Sequence, residues 1–191
     1  MKLENGTAKI EWELSPRQAT AIRSEAPILL YGGAKGGGKS YFLCRWAFLQ
    51  AVRFPGNRGF LGRKRSVDFT NTTLETWKKA IPSELYTVNE QRKRITIRGV
   101  HSIIDYGGLD DPLAVEKFNS AEYGFIGVDQ AEEVSRDDFA MLRATLRHKL
   151  IDNTLPLYQV RLTANPAECW LKDEFILNPG EGFEFVKSLP V

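Results

Sequence analysis

Pro27-Ile28-Leu29-Leu30-Tyr31-Gly32-Gly33-Ala34-Lys35-Gly36-Gly37-Gly38-Lys39-Ser40-Tyr41 passes from an apolar run, through a glycine-rich turn, into a helical pattern. The first five residues have the continuous apolar character of a strand buried on both faces. Gly33 to Ser40 fits G-x-x-x-x-G-K-[ST] in full, after a strand and opening a helix, which is the context this phosphate-binding loop requires. Glycines at Gly33, Gly36, Gly37 and Gly38 let backbone N–H groups curl around a phosphate, and the following helix N-terminus adds partial positive charge. Lys39 is placed to reach the β- and γ-phosphates, and the Ser40 hydroxyl to ligate Mg²⁺. The stretch Gly33, Ala34, Lys35, Gly36, Gly37, Gly38, Lys39, Ser40 and Tyr41 is therefore the expected nucleotide-binding segment. Lys35 has two open readings, a phosphate contact or a solvent-facing charge.

A phosphate loop of this kind needs a second acid for its cation. Tyr123-Gly124-Phe125-Ile126-Gly127-Val128-Asp129 is another buried strand signal and ends in one, at the carboxyl edge where parallel sheets place ligands. Asp129 and Ser40 are the predicted Mg²⁺ residues. In many ATP-hydrolysing motors with this loop a glutamate follows the aspartate directly, but here that position is Gln130. A carboxylate is the better general base, so the role moves to Glu132 or Glu133, with Glu132 preferred. A surface role for both stays open.

Working outward, Ser15-Pro16-Arg17-Gln18 reads as a helix start, with Ser15 as cap, Pro16 in the first turn and Gln18 as capping-box partner. Helices are predicted over Lys39–Val52, Ser66–Ala80, Asp111–Asn119, Ser135–Leu150 and Glu168–Leu177. Strands are predicted around Gly59–Gly62, Gln159–Thr163 and Phe183–Val186. Arg94–Arg98 and Ser102–Tyr106 alternate and are joined by Gly99-Val100-His101, which predicts an antiparallel hairpin. Strands alternating with helices define an α/β fold, a mainly parallel sheet sandwiched by helices with an antiparallel hairpin extension. The chain is read as one domain over residues 1–191, with residues 1–26 forming an N-terminal segment and helix.

The chain has 191 residues, 42% hydrophobic and 26% charged, a composition that argues against extensive disorder. No apolar run of membrane-spanning length or secretory signal is visible, so no membrane partner is expected. Cys44 and Cys169 are isolated, and with His101 and His148 they make no metal-site spacing. Net charge is only +2, yet Arg58/Arg63/Lys64/Arg65, Arg92/Lys93/Arg94/Arg98 and Arg143/Arg147/His148/Lys149 form cationic clusters. Each is a candidate for phosphate-backbone contact or for a solvated face.

Taken in order, Leu14-Ser-Pro-Arg-Gln18, the loop Gly32–Ser40, Gly124-Phe-Ile-Gly-Val-Asp-Gln-Ala-Glu-Glu133 and Leu162-Thr-Ala-Asn-Pro166 resemble the ATPase domain of tailed-phage terminase large subunits. The resemblance covers roughly residues 12–180. It implies a RecA-like, ASCE-type P-loop fold and hydrolysis of ATP with Mg²⁺ to drive double-stranded viral DNA into a procapsid in the host cytoplasm. It implies DNA, a portal protein and a small terminase subunit as partners, with subunits assembled in a homo-oligomeric ring and monomeric in isolation. It implies an adenine-reading role for Gln18, with capping alone as the alternative. It also implies a coupling role for Thr163, Ala164 and Asn165, with a helix cap before Pro166 as the alternative. In a ring, a cation donated to the neighbouring site would come from Arg143 or Arg147, with Lys117 a weaker choice; exposed helix charge or DNA contact is the competing reading for each. Gln130 departs from the family's commoner Asp-Glu pair and leaves the catalytic glutamate open. The RNase H-like nuclease domain usual in such subunits is not expected within this chain. Another P-loop DNA motor, a helicase-like ATPase, a small-molecule kinase and a non-catalytic nucleotide-binding module are the competing classes.

Overall fold

A computed structural model describes residues 2–4, 7–110 and 120–190. Its main element is an eight-stranded sheet in the order β10-β3-β9-β8-β4-β7-β6-β5. The strands are β3 (Ile28–Gly33), β4 (Arg58–Arg63), β5 (Tyr86–Asn89), β6 (Arg94–Ile97), β7 (Ile103–Gly108), β8 (Phe125–Val128), β9 (Gln159–Ala164) and β10 (Phe183–Ser188). Pairing is parallel from β10 to β7 and antiparallel from β7 through β6 to β5. β9 lies between β3 and β8, so the end of β9 is inserted between the phosphate-loop strand and the acidic strand. Two short N-terminal strands, β1 (Lys2–Glu4) and β2 (Thr7–Lys9), pair in a separate antiparallel ribbon.

Period-two alternation sorts the side chains onto two faces. Leu29, Tyr31 and Phe125 point into one core with Phe42, Leu43, Trp46 and Trp77 from the covering helices. Ile28, Leu30, Ile126, Val128, Val160 and Leu162 point into the other with Phe139, Leu142 and Phe175. The same alternation carries Asp129, two residues beyond Gly127 and four beyond Phe125, onto the face covered by α2 (Lys39–Arg53). Arg161 also faces α2, with its guanidinium 5.3 Å from the Trp46 ring centroid.

α1 (Pro16–Arg23) starts as predicted, with a complete capping box between Ser15 and Gln18. The helix expected over Ser66–Ala80 forms in three joined parts: α3 (Ser66–Asp68), a π-helical turn over Phe69–Leu74, and α4 (Glu75–Ala80). The predicted hairpin is present, but β7 pairs in parallel with β4, so it is an integral part of the sheet and not an appendage. β5 is an addition to the strands expected from the sequence. The helix predicted over Ser135–Leu150 is corrected to α5 (Arg136–Arg143). Beyond it the Thr145 carbonyl accepts the Tyr123 N–H (2.8 Å) and the Tyr123 carbonyl accepts the Arg147 N–H (3.1 Å). Long-range pairing with the approach to β8 thus overrides the local helical pattern, and Arg147 is not helical. The helix predicted over Glu168–Leu177 is likewise shortened to α6 (Trp170–Lys172) followed by a π turn over Asp173–Leu177. The helix predicted over 111–119, with Lys117, lies outside the described residues.

Candidate functional site

The carboxyl edges of β3, β9 and β8 meet the N-terminus of α2. Gly38 caps α2 in the left-handed region, at φ 63°, with no side-chain cap over the first turn. A Cβ at Gly38 would also lie 2.6 Å from Gln18 Nε2, so only glycine fits both the dihedral and the neighbour. Gln18 itself is buried. Its Oε1 accepts the Ser15 N–H (3.1 Å) and caps α1, while its Nε2 donates to the Gly38 carbonyl (3.0 Å) and ties the loop to that helix. On the other flank β10 presses against the loop: a Cβ on Gly33, at φ 136°, would meet the Ser188 carbonyl oxygen at 2.6 Å. Lys39 Nζ spans the loop, donating to the carbonyls of Gly33 (3.1 Å) and Ala34 (2.7 Å). Burial lowers the Lys39 pKa, the Glu132 and Asp129 carboxylates oppose that shift, and Lys35 adds to it.

Asp129 is nearly sealed from solvent. Three hydroxyls donate to its carboxylate: Ser40 to both oxygens (3.2 and 2.9 Å), Thr163 to Oδ1 (2.5 Å) and Thr73 to Oδ2 (2.7 Å). The Thr163 oxygen also accepts the Gln130 N–H at 3.3 Å. Gln130 takes the left-handed conformation, φ 52°, and begins the 3₁₀ turn Ala131–Glu133 that separates the two glutamates. Glu132 Oε1 accepts from Asn165 Nδ2 at 2.7 Å, whereas its Oε2 is buried without a protein partner. Glu133 turns away to Arg63, whose Nη2 lies 3.4 Å from Glu133 Oε1 and whose Nη1 donates to Thr72 (2.9 Å).

Lys35, Gly36, Gly37, Gly38, Lys39, Ser40, Tyr41, Asp129, Gln130 and Asn165 line one cavity of about 460 Å³ together with Thr76. Thr163 and Glu132 stand immediately behind it through their bonds to Asp129 and Asn165, and Ala164 is buried between Thr163 and Asn165. The donor set fits the group expected there. A hydroxyl and a carboxylate are hard oxygen donors of the kind Mg²⁺ takes, and open helix N–H groups beside a lysine suit polyphosphate. Glu132 Oε2, next to Asn165, is a buried acceptor without a protein partner. Arg143 and Arg147 are not brought to this cavity. The Arg143 guanidinium sits 5.9 Å from the ring of Phe183, at the amino end of β10, and Arg147 pairs with Glu122 (3.3 Å) beside Tyr123. Both therefore occupy the edge of the sheet opposite the loop. Arg94 is likewise committed, its Nε donating to the buried Asp105 carboxylate at 2.7 Å, with Arg58 on the other oxygen. Sequence reasoning missed Thr73 and Arg161, which no local pattern marks, and gave Arg63 only as a member of a cationic cluster, not as the partner of Glu133.

No family model and no curated protein sequence matches the chain. Solved structures do. The large terminase of a thermophilic bacteriophage superposes with a TM-score of 0.77 at 13% identity, over 94% of this chain and 46% of that one. The Thermus phage P74-26 large terminase ATPase domain gives 0.69 at 13% identity, over 92% of this chain and 81% of that one. The chain has the fold of phage large-terminase ATPase domains. The HK97 bacteriophage large terminase extends the likeness, with a TM-score of 0.67 at 12% identity over 91% of this chain and 39% of that one. The chain thus spans less than half the length of the two whole terminases and most of the isolated ATPase domain. The first of these terminases is also known in complex with ATP-γ-S and with ADP. In this RecA-like P-loop fold the sheet order and the hairpin are those described above.

Proposed function

We propose that the chain hydrolyses ATP to translocate double-stranded viral DNA into a procapsid, as the motor domain of a terminase large subunit. One observation carries the chemical part: a buried carboxylate oxygen without a protein partner, Glu132 Oε2, stands beside the loop lysine and the acid–serine pair. The loop N–H groups and Lys39 would hold the phosphates, and Ser40 and Asp129 the cation. Bound Mg²⁺ would neutralise charge developing on the transferred phosphoryl group. Glu132 would orient the attacking water and accept its proton at Oε2, while Asn165 holds Oε1. Thr163 bonds Asp129 and Asn165 bonds Glu132, with Ala164 between them, so this end of β9 is suited to report phosphate loss to the rest of the sheet.

The motor reading, with DNA, portal protein and small subunit as partners, draws on the terminase likeness and on the sequence resemblance. Arg143 and Arg147 lie away from their own loop, so either would serve only a neighbouring subunit's phosphate, in a ring. An arginine supplied in trans accelerates such reactions by roughly 10³–10⁵. The test is phosphate release as a function of chain concentration, double-stranded DNA and portal protein. Turnover per chain should rise with each, and a Lys39→Ala chain, inactive itself, should stimulate an Arg143→Ala/Arg147→Ala chain. Full turnover in a folded Lys39→Ala protein overturns the phosphate-loop assignment. Fast turnover at high dilution, indifferent to DNA and to mixing, overturns the ring motor.

A further inference from the structure

Four threonines stand on the segment Ser66–Ala80: Thr70, Thr72, Thr73 and Thr76. Three of them behave as helical threonines do, donating to the carbonyl four residues back: Thr70 to Ser66 (3.2 Å), Thr72 to Asp68 (2.6 Å) and Thr76 to Thr72 (3.0 Å). Thr73 does not. It is wholly buried, and its hydroxyl leaves the helix to donate to Asp129 Oδ2 at 2.7 Å. The residue sits inside the π turn Phe69–Leu74, a local widening that is frequent at functional positions. The i→i+5 spacing keeps Phe69 and Leu74 together on the core face while Thr73 meets the acidic strand.

The consequence lies in the geometry of the carboxylate. Thr163 holds Oδ1 and Thr73 holds Oδ2, so the two oxygens are pinned from different elements and the carboxylate plane cannot rotate without breaking a bond. Ser40 alone would leave it free to swing, because its hydroxyl bridges both oxygens at longer distances. Hydrogen bonds to an ionised acceptor are stronger than neutral ones, and partners of ligating carboxylates set their orientation. Thr72, one residue earlier, accepts from Arg63, which pairs with Glu133, so the same turn anchors the neighbourhood of the second glutamate.

We propose that Thr73 is a positioning residue for the divalent cation: its hydroxyl, delivered by the π turn, fixes the Asp129 carboxylate in the orientation that metal binding beside Ser40 requires. This rests on the Mg²⁺–nucleotide reading of the site. The test is ADP binding by titration calorimetry as a function of Mg²⁺ concentration, paired with Mn²⁺ binding followed by electron paramagnetic resonance. Thr73→Val keeps the shape and removes the hydroxyl, Thr73→Ala removes it with less bulk, and Thr73→Ser restores it. Thr73→Val and Thr73→Ala should raise the half-saturating metal concentration about tenfold or more, whereas Thr73→Ser should stay within about twofold of the wild type. ADP affinity in excess EDTA should be the same for all four proteins. Melting curves identify which hydroxyl-free variant is folded, and either suffices. A folded hydroxyl-free variant with wild-type metal dependence overturns the proposal. So does an equal shift in Thr73→Ser, which would assign the effect to packing. A wild-type chain that binds no ADP with or without metal would instead overturn the nucleotide reading itself.

Discussion

At the carboxyl edge of the parallel sheet, the two acids at the cavity are held by side chains, Asp129 by Ser40 and Glu132 by Asn165, while Lys39 donates to the loop carbonyls of Gly33 and Ala34. At the amino edge of the same sheet, Arg161 is buried just as deeply, but it ends on backbone. Its two terminal nitrogens donate to the carbonyls of Ser24 (2.8 Å), Ala26 (2.9 Å) and Val160 (2.9 Å). Gln159 joins the same carbonyls of Ser24 and Ala26, and accepts from Gln50 at 3.0 Å. Burial lowers the Arg161 pKa to about 10, which still leaves it a cation at neutral pH. Two edges of one sheet thus bury charge in different ways. Where charge meets fixed carbonyls it locks the connection from α1 to β3. Where carboxylates meet side-chain hydroxyls and an amide, and one oxygen is left unpaired, the charge is suited to exchanging partners.

The sharpest way to break that contrast is at the unpaired oxygen. Glu132→Gln should slow phosphate release by about two orders of magnitude or more while nucleotide affinity is retained, the usual scale for loss of a general base. Glu133→Gln, which only releases Arg63, should matter far less. The reverse order would move the chemistry to Glu133. The next effect belongs to the amino edge. Arg161→Met should cost about 2–3 kcal/mol in chemical denaturation, because three carbonyls lose a charged donor. ADP affinity should be unchanged; a collapse of ADP binding without loss of stability would make the amino edge part of the site. The smallest effect tests where the boundary runs. Gln18→Ala should weaken ADP and GDP equally, by the several-fold that about 1 kcal/mol of lost hydrogen bonding corresponds to. Loss confined to ADP, measured by calorimetry on both nucleotides, would mean that Gln18 lets go of Gly38 to read the base.

The contrast also separates what the chain reveals locally from what it does not. Gly33–Ser40 and Asp129 are legible because strand, turn and helix signals lie within a few residues of the positions they mark, whereas Thr163, Ala164 and Asn165 stand out only through the terminase resemblance. The capping box of Ser15 and Gln18 is legible for the same reason, though not the second bond from Gln18 to Gly38, which spans twenty residues. Thr73 looks like one more polar residue on a threonine-rich helix, and its bond to Asp129 crosses 56 positions. Arg161 alternates with Val160 and Leu162 as a solvent-facing residue on a half-exposed strand would, and only the helix laid over that face buries it. The end of α5 is hidden likewise, since Leu146 continues a plausible helix until Tyr123 claims its neighbours.

One detail of the π turn has a practical side. The chain carries two thiols. Cys44 is sealed beneath that turn, 3.7 Å from the Thr73 carbonyl oxygen, and burial together with the Asp129 charge pushes its thiol well up. Cys169 is half-buried and lines a second cavity, of about 360 Å³, that also includes Gly33 and Asn165. Native chemistry has therefore left one addressable sulfur a few residues past the end of β9. A small environment-sensitive dye attached at Cys169 would report on that strand end as nucleotide is added, with no cysteine needing to be removed first.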